Sequence, residues 1–428
     1  MARLYIATWG NPLAWSEVEY DCGDGRRARS FTSSVCAEAD ARVVVALDSV
    51  VAAEGNNRAA AEAAREAGLP VEEVAEGGTG RAKYIVGPPD CGEWRLRARE
   101  YVRRLAGKAG VEAEPVVVAA LGRLGGWEFR GWPDLVLWEL LMGLWRVLKG
   151  LEPKGQLDIY LDITHGINFM PAVALHAARL LASLALARGF ERAVLKAYNA
   201  LPGTWQLAKV YSETFDSILF PQPPETDLGR ALYYGAPLHF ALLSAGAEEP
   251  ELEVELRCEG RAVAYQIVDR KARSSDDRGP AQRGGAQSAA PERLYELLLA
   301  VAASEGARGL LAGGSRVWLK GLMQWGLVDR LGPTARAVAK AELNRLYTAA
   351  QKLSAGECRR YAELLPFDLP ERGDVCGDAS RHFIAHAGLL AHYTTVCRES
   401  GGEAVVEVDK ETFKCLSSAR EPKPSSAR

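Results

Sequence analysis

Histidine, methionine and closely spaced cysteine are scarce in this chain. Its 428 residues hold six histidines and four methionines, and its eight cysteines include no Cys-x-x-Cys pair. No cysteine and histidine stand at zinc spacing, so a structural zinc site is excluded and no metal ligand set is expected. Charge of one sign is missing too: 52 basic against 55 acidic side chains leave a net charge of -3. That balance excludes a general nucleic-acid coating protein and confines any RNA contact to a local cleft. The N-terminus shows no signal-peptide pattern, so a cytoplasmic protein with reduced thiols is expected. Uninterrupted apolar runs are absent as well. Glu139, Arg146, His176 and Arg179 break the stretches 134–148 and 171–187, which therefore read as core helices, with no membrane partner. Arginine far outnumbers lysine, and alanine and valine abound, a composition suited to high temperature.

What is present implies two domains, since the chain is too long for one ordinary core. In the first half, aliphatic runs alternate with helical stretches. Strands are expected near Leu4 to Thr8, Val43 to Leu47, Val116 to Ala120, Leu157 to Ile163 and Ala193 to Tyr198, with a last strand near Trp205 to Tyr211. Such alternation predicts a Rossmann-like, mainly parallel sheet covered by helices over residues 1–218. The prolines of Phe220-Pro-Gln-Pro-Pro224 mark the boundary. Residues 219–428 read as mainly helical, with helices at Leu228 to Ala247, Glu292 to Gly306, Val317 to Gly326 and Ala335 to Leu353. They also hold a mobile polar insertion at 271–291 and a disordered tail after about 415.

Two segments carry chemistry. The first is the turn Asp162-Ile-Thr-His-Gly-Ile-Asn-Phe-Met-Pro171, between a strand and a long helix. In an open parallel sheet, ligands settle outside the carboxyl ends of strands, where Thr164, His165, Gly166 and Asn168 would project. Gly166 allows close approach to a phosphate or sugar, Thr164 and Asn168 offer hydrogen bonds, and His165 can stack on a base. The loop Thr8-Trp-Gly-Asn-Pro-Leu-Ala-Trp15 opens on the same edge, and Trp9 is expected to stack on a purine. The bland alternative is that Thr164 and Asn168 cap a helix while Trp9 and Trp15 are core aromatics. Asp162, lacking a second acidic partner, is read as holding the turn.

The second segment is Asp378 to Tyr393, in which Arg381 and His386 are separated by four residues. Wound as one helix, it places Arg381, His382, His386, His392 and Tyr393 on one arc, with Asp378 or Ser380 capping the start. An arginine at a helix N-terminus suits a phosphate, and a nearby histidine suits proton transfer. An amphipathic surface helix would show the same pattern.

Together, the Trp9-Gly-Asn-Pro12 loop, the Asp162 to Pro171 turn and Arg381-His-Phe-Ile-Ala-His-Ala-Gly388 closely resemble the CRISPR-associated type III accessory ribonucleases that join an N-terminal CARF sensor to a C-terminal HEPN nuclease. The resemblance implies that residues 1–218 form a CARF domain binding a cyclic oligoadenylate, with cyclic tetra-adenylate as the activator. Trp9, Gly10, Asn11, Thr164, His165, Gly166 and Asn168 would be the ligand-binding residues. It implies that residues 219–428 form a HEPN domain cutting single-stranded RNA without metal, with Arg381 and His386 catalytic, as part of antiviral defence. It implies a homodimer, or a multiple of dimers, in which the two nuclease domains share one cleft. His382 replaces the small or polar residue expected beside the motif arginine.

Two other readings compete. Ser315 to Asp329 followed by Ala335 to Leu353 could form a helix-turn-helix, making the chain a ligand-responsive DNA-binding transcription regulator. Alternatively, His165 and Thr164 could cleave the messenger, making the sensor a ring nuclease.

Overall fold

The computed structural model describes residues 1–23, 25–75, 82–167, 169–269, 291–366 and 384–418. The chain divides into two compact units. One comprises Met1–Ala185, Phe190–Phe215 and Pro250–Pro291; the other comprises Leu186–Gly189, Asp216–Glu249 and Glu292–Arg428.

The first unit is built on a six-stranded sheet. Its strands are β1 (Ala2–Trp9), β2 (Ala41–Leu47), β3 (Glu114–Val118), β4 (Gln156–His165), β5 (Arg192–Ala200) and β6 (Leu207–Phe215). The spatial order is β6-β5-β4-β1-β2-β3. All neighbours are parallel except β5 and β6. This is the doubly wound order, in which the chain works outward from β1 on one side and from β4 on the other. The crevice for a ligand therefore opens between the carboxyl ends of β1 and β4. Leu4, Ile6, Val43, Val45, Leu157, Ile159 and Leu161 have no exposed surface, as strands covered on both faces require.

Helices α1 (Arg58–Glu66), α2 (Trp94–Lys108), α3 (Pro133–Lys149) and α4 (Met170–Arg188) complete this layer structure. Among the described residues α4 alone is long and apolar enough to cross a membrane, but 67% of its most apolar window is buried inside the protein. Sequence reading thus located all six strands and both apolar helices.

It missed a hairpin, Leu252–Glu259 with Ala262–Asp269, assigned from sequence to the second domain. The hairpin belongs to the first unit, because Ala262 to Ala264 pair in parallel with Glu128 to Arg130. Burial drives the docking. The Tyr265 hydroxyl donates to Asp48 at 2.9 Å, Arg95 pairs with Asp48 at 3.3 Å and also with Glu139, and Cys91 is bonded to Cys258. Asp48 is fully buried, which pushes its carboxyl up to about 6 against the pull of Arg95. The expected boundary at 218/219 therefore needs correction: the main break falls after Phe215, and Pro250–Pro291 returns to the first unit.

The expectation of reduced thiols is corrected as well. Cys22 is bonded to Cys36, Cys91 to Cys258 and Cys358 to Cys397, and no described cysteine is free. Spacing along the chain could not reveal these pairs, since the Cys91–Cys258 bond joins residues 167 apart.

Among its described residues the second unit is mainly helical, but it also carries sheet that the sequence reading did not expect. It combines helices with a five-stranded antiparallel sheet. Those strands are β7 (Leu311–Gly313), β8 (Arg316–Trp318), β9 (Cys358–Arg360), β10 (Thr394–Arg398) and β11 (Ala404–Val408), in the order β7-β8-β11-β10-β9. The expected helix from Leu228 is two helices, α5 (Asp227–Tyr233) and α6 (Pro237–Ser244). They are separated where Gly235 takes φ +71° and Pro237 starts afresh. α7 (Pro291–Leu310) and α8 (Pro333–Ala350) are the long helices of this unit. The segment proposed as a helix-turn-helix opens with strand β8, paired to β11 through Val317 and Val406, and continues as two short helices, Leu319–Gln324 and Gly326–Asp329, ahead of α8.

The expected insertion lies outside the described residues as far as 290, and the tail lies outside them beyond 418. The last helix, Thr412–Ser418, extends past the point where disorder was expected to begin.

Candidate functional site

At the crevice, the register between β1 and β4 slips after Ala7, so that Trp9 stands opposite His165. Beneath them Asp162 is buried and saturated. Its Oδ2 accepts from the Tyr5 hydroxyl at 2.5 Å and from Ser33 Oγ at 2.6 Å, and its Oδ1 accepts from the Thr164 amide at 2.9 Å. Burial and this carboxylate hold the Tyr5 hydroxyl well above its usual range. Asp162 is thus the anchor of the turn, as the sequence reading held.

Each expected ligand residue can now be placed. Trp9 is 1% exposed, donates from Nε1 to Ser34 Oγ at 3.2 Å and packs edge-on against Trp15. It is a core aromatic and presents no face to a purine, which corrects the expectation. Asn11 is spent on the loop itself: its Oδ1 accepts from the Leu13 amide at 3.1 Å and its Nδ2 donates to the Glu54 carbonyl at 2.9 Å. It caps the short helix Pro12–Ala14. Gly10 is required by packing. A Cβ there would come within 2.3 Å of Ile167 Cγ2 and 2.8 Å of the His165 carbonyl oxygen. Gly166 is equally tight, 2.5 Å from Thr8 Oγ1. Thr164 accepts the Ala200 amide at 2.9 Å, tying the turn to the end of β5. Asn168 lies outside the described residues.

His165 is the expected residue that remains at the mouth of the crevice. Its ring is 4.4 Å from that of half-buried Trp15, and its Nε2 lies 3.0 Å from the Tyr20 hydroxyl. Burial pushes its pKa below the ordinary value, against the opposing pull of Asp162. The ring is therefore neutral near pH 7, with Nε2 in hydrogen-bond contact with the Tyr20 hydroxyl.

Trp15, which the sequence reading put on the loop at this edge, forms an aromatic border with Tyr20 and Trp205, which it missed. Trp15 also stacks on Phe31, and Tyr20 meets Trp205 edge-on at 6.0 Å. Tyr20 arrives on the hairpin Val18–Asp21 with Arg27–Ser30, which the Cys22–Cys36 bond ties to the turn bearing Ser33 and Ser34. Trp205 takes φ +52°, unusual for a bulky residue, and its carbonyl accepts the Asp21 amide at 3.2 Å. Only the hairpin's placement brings these rings together, and no local spacing encodes it.

In the second unit, Arg381 and His382 lie outside the described residues. His386 does not continue into one long helix. Ala387 takes φ +51° and Gly388 φ +78°, and His392 and Tyr393 belong to a separate turn, Ala391–Tyr393. This corrects the single arc expected from the sequence. A Cβ on Gly388 would come within 2.8 Å of Nδ1 of buried His239, so the chain needs glycine there. His386 Nδ1 faces Glu342 Oε1 of α8 at 3.3 Å. This hydrogen bond raises the His386 pKa above the ordinary value, more than burial lowers it. Among the described residues no group of three His, Cys, Asp or Glu side chains is placed to hold a metal ion.

Comparison with curated proteins finds no match for the chain. A protein-family model does match: residues 4–202, a little under half of the 428, fit the one described as CRISPR system endoribonuclease Csx1, CARF domain. The match covers β1 to β5 and the switch point between β1 and β4, and it supports a CARF domain of CRISPR type over those residues.

Proposed function

We propose that this protein is a cyclic-oligoadenylate-activated endoribonuclease of type III CRISPR defence, cutting single-stranded RNA. The observation that carries the reading is the Csx1 CARF match on a sheet whose switch point opens between Trp9 and His165. Half-buried Trp15 and His165, bordered by Tyr20 and Trp205, offer aromatic surface for an adenine, and the turn at Thr164 to Gly166 offers backbone for the sugar-phosphate. A cyclic tetra-adenylate has two-fold symmetry, which suits two identical sensor domains and hence a homodimer.

The RNA supplies its own nucleophile. The 2'-oxygen bonds to phosphorus as the bond to the 5'-oxygen breaks; the 2'-hydroxyl gives up a proton and the leaving oxygen takes one. Arg381 neutralises the phosphate, and His386 acts in the proton transfer. The products carry 2',3'-cyclic phosphate and 5'-hydroxyl ends, and DNA survives for want of the 2'-hydroxyl. The chemistry requires no metal.

Substitution separates the two sites. His386→Ala is expected to lower RNA cleavage at least about 100-fold and leave ligand affinity unchanged. His165→Ala is expected to weaken binding of labelled cyclic tetra-adenylate. Undiminished cleavage by His386→Ala would end the nuclease assignment.

A further inference from the structure

We propose that Glu342 is the positioning residue for His386, its carboxylate holding the Nδ1 proton so that the ring keeps one tautomer and one aim. The geometry is independent of function; the catalytic use rests on the ribonuclease reading above.

The pair stands out because of where Glu342 lies. It sits midway along α8, an 18-residue helix, yet is 4% exposed, flanked by buried Ala339, Leu343 and Leu346. A carboxylate withdrawn from water costs stability unless partners replace the lost hydration. Glu342 Oε1 accepts from Arg345 Nη1 at 2.7 Å and faces His386 Nδ1 at 3.3 Å. Arg345 is one helical turn away with a side chain 65% exposed, so it could pair equally well with a carboxylate left at the surface. What calls for an inward carboxylate is the imidazole.

The backbone supports the same reading. Immediately after His386 the chain turns through Ala387 and Gly388 in left-handed conformations, and the Leu389 amide donates to the His386 carbonyl at 2.8 Å. Gly388 is pressed against His239, whose Nε2 is 2.9 Å from Thr412 Oγ1. The main chain at His386 is thus fixed by this turn, and the ring is held by Glu342. Among the described residues, the charged groups that act on it are Glu342, which favours the imidazolium, and Arg345, which opposes it. Tyr361, 3% exposed, lies within the field of the same carboxylate, which with burial keeps its hydroxyl neutral. An imidazole whose Nδ1 proton is fixed by a carboxylate directs its chemistry through Nε2, the arrangement that acid-base catalysis by histidine requires.

The test uses the full-length protein with Glu342→Gln, Glu342→Asp and His386→Ala. Histidine titration is followed by NMR, with His386→Ala assigning the resonance, and RNA cleavage is followed across pH with cyclic tetra-adenylate. Melting curves confirm that each variant folds. Glu342→Gln is expected to lower the His386 pKa, move the pH-rate limb toward acid and slow cleavage at least about tenfold, with Glu342→Asp recovering part of all three. An unmoved His386 titration in Glu342→Gln would overturn the pairing. A moved titration with an unmoved pH-rate limb would overturn the positioning role. A moved titration in a protein that cuts no RNA would leave the pair standing and remove its catalytic use, which identifies the ribonuclease reading as the part that failed.

Discussion

Two tryptophans six residues apart divide structure from recognition. Trp9 Nε1 bonds Ser34 in the core, whereas Trp15 lies half-exposed beside His165. Trp9→Ala should therefore cost about 3–5 kcal/mol of stability through cavity formation, seen as a lower melting temperature. Trp15→Ala should weaken cyclic tetra-adenylate binding by about tenfold or more with a small effect on melting. Equal effects on binding from the two substitutions, in folded proteins, would show that the stacking surface is elsewhere. His386 carries a signed pH dependence. Its folded pKa lies above the ordinary value because of Glu342, so the pair's stabilisation is fully present below the unfolded pKa near 6.5 and is lost as pH rises through the folded value. Glu342→Gln should accordingly narrow the gap in melting temperature between acid and alkaline buffers. Asp162 was legible from the sequence as the turn's anchor because it had no second acidic partner for acid-base work, and its bond from the Thr164 amide accords with that reading. Trp9 was misread because its loop lies at the right edge while its ring points into the core.

At the scale of elements, aliphatic runs and proline stops were enough to place β1 to β6, α3 and α4, since each is written in a continuous local pattern. The hairpin Leu252–Glu259 with Ala262–Asp269 was equally visible in principle. Leu252, Val254, Leu256 and Cys258 alternate with Glu253, Glu255, Arg257 and Glu259, ahead of a turn at Gly260 with φ +60°. Its attachment to the first unit was not visible, because that depends on Tyr265 reaching Asp48 and Cys258 reaching Cys91. The disulfides give this element a test. The Cys91–Cys258 bond closes a far longer loop than Cys22–Cys36, so Cys258→Ser should lower the melting temperature more than Cys36→Ser, by about 2–4 kcal/mol in stability. Equal melting of the oxidised and reduced protein would show that neither bond is needed.

For the whole molecule, the proposal joins a nucleotide-sensing sheet to a nuclease unit whose described part supplies His386, and it demands that ligand bound at one control chemistry at the other. Switching a two-state enzyme from mostly off to mostly on takes about 5 kcal/mol of differential binding, so activation should be steep in ligand and small in its absence. The most direct measurement is cleavage of a labelled single-stranded RNA in EDTA, with and without cyclic tetra-adenylate, beside the His386→Ala protein. The account predicts cutting that needs the ligand, survives EDTA and disappears in the variant. Cutting that ignores the ligand, or that persists in His386→Ala, would contradict it.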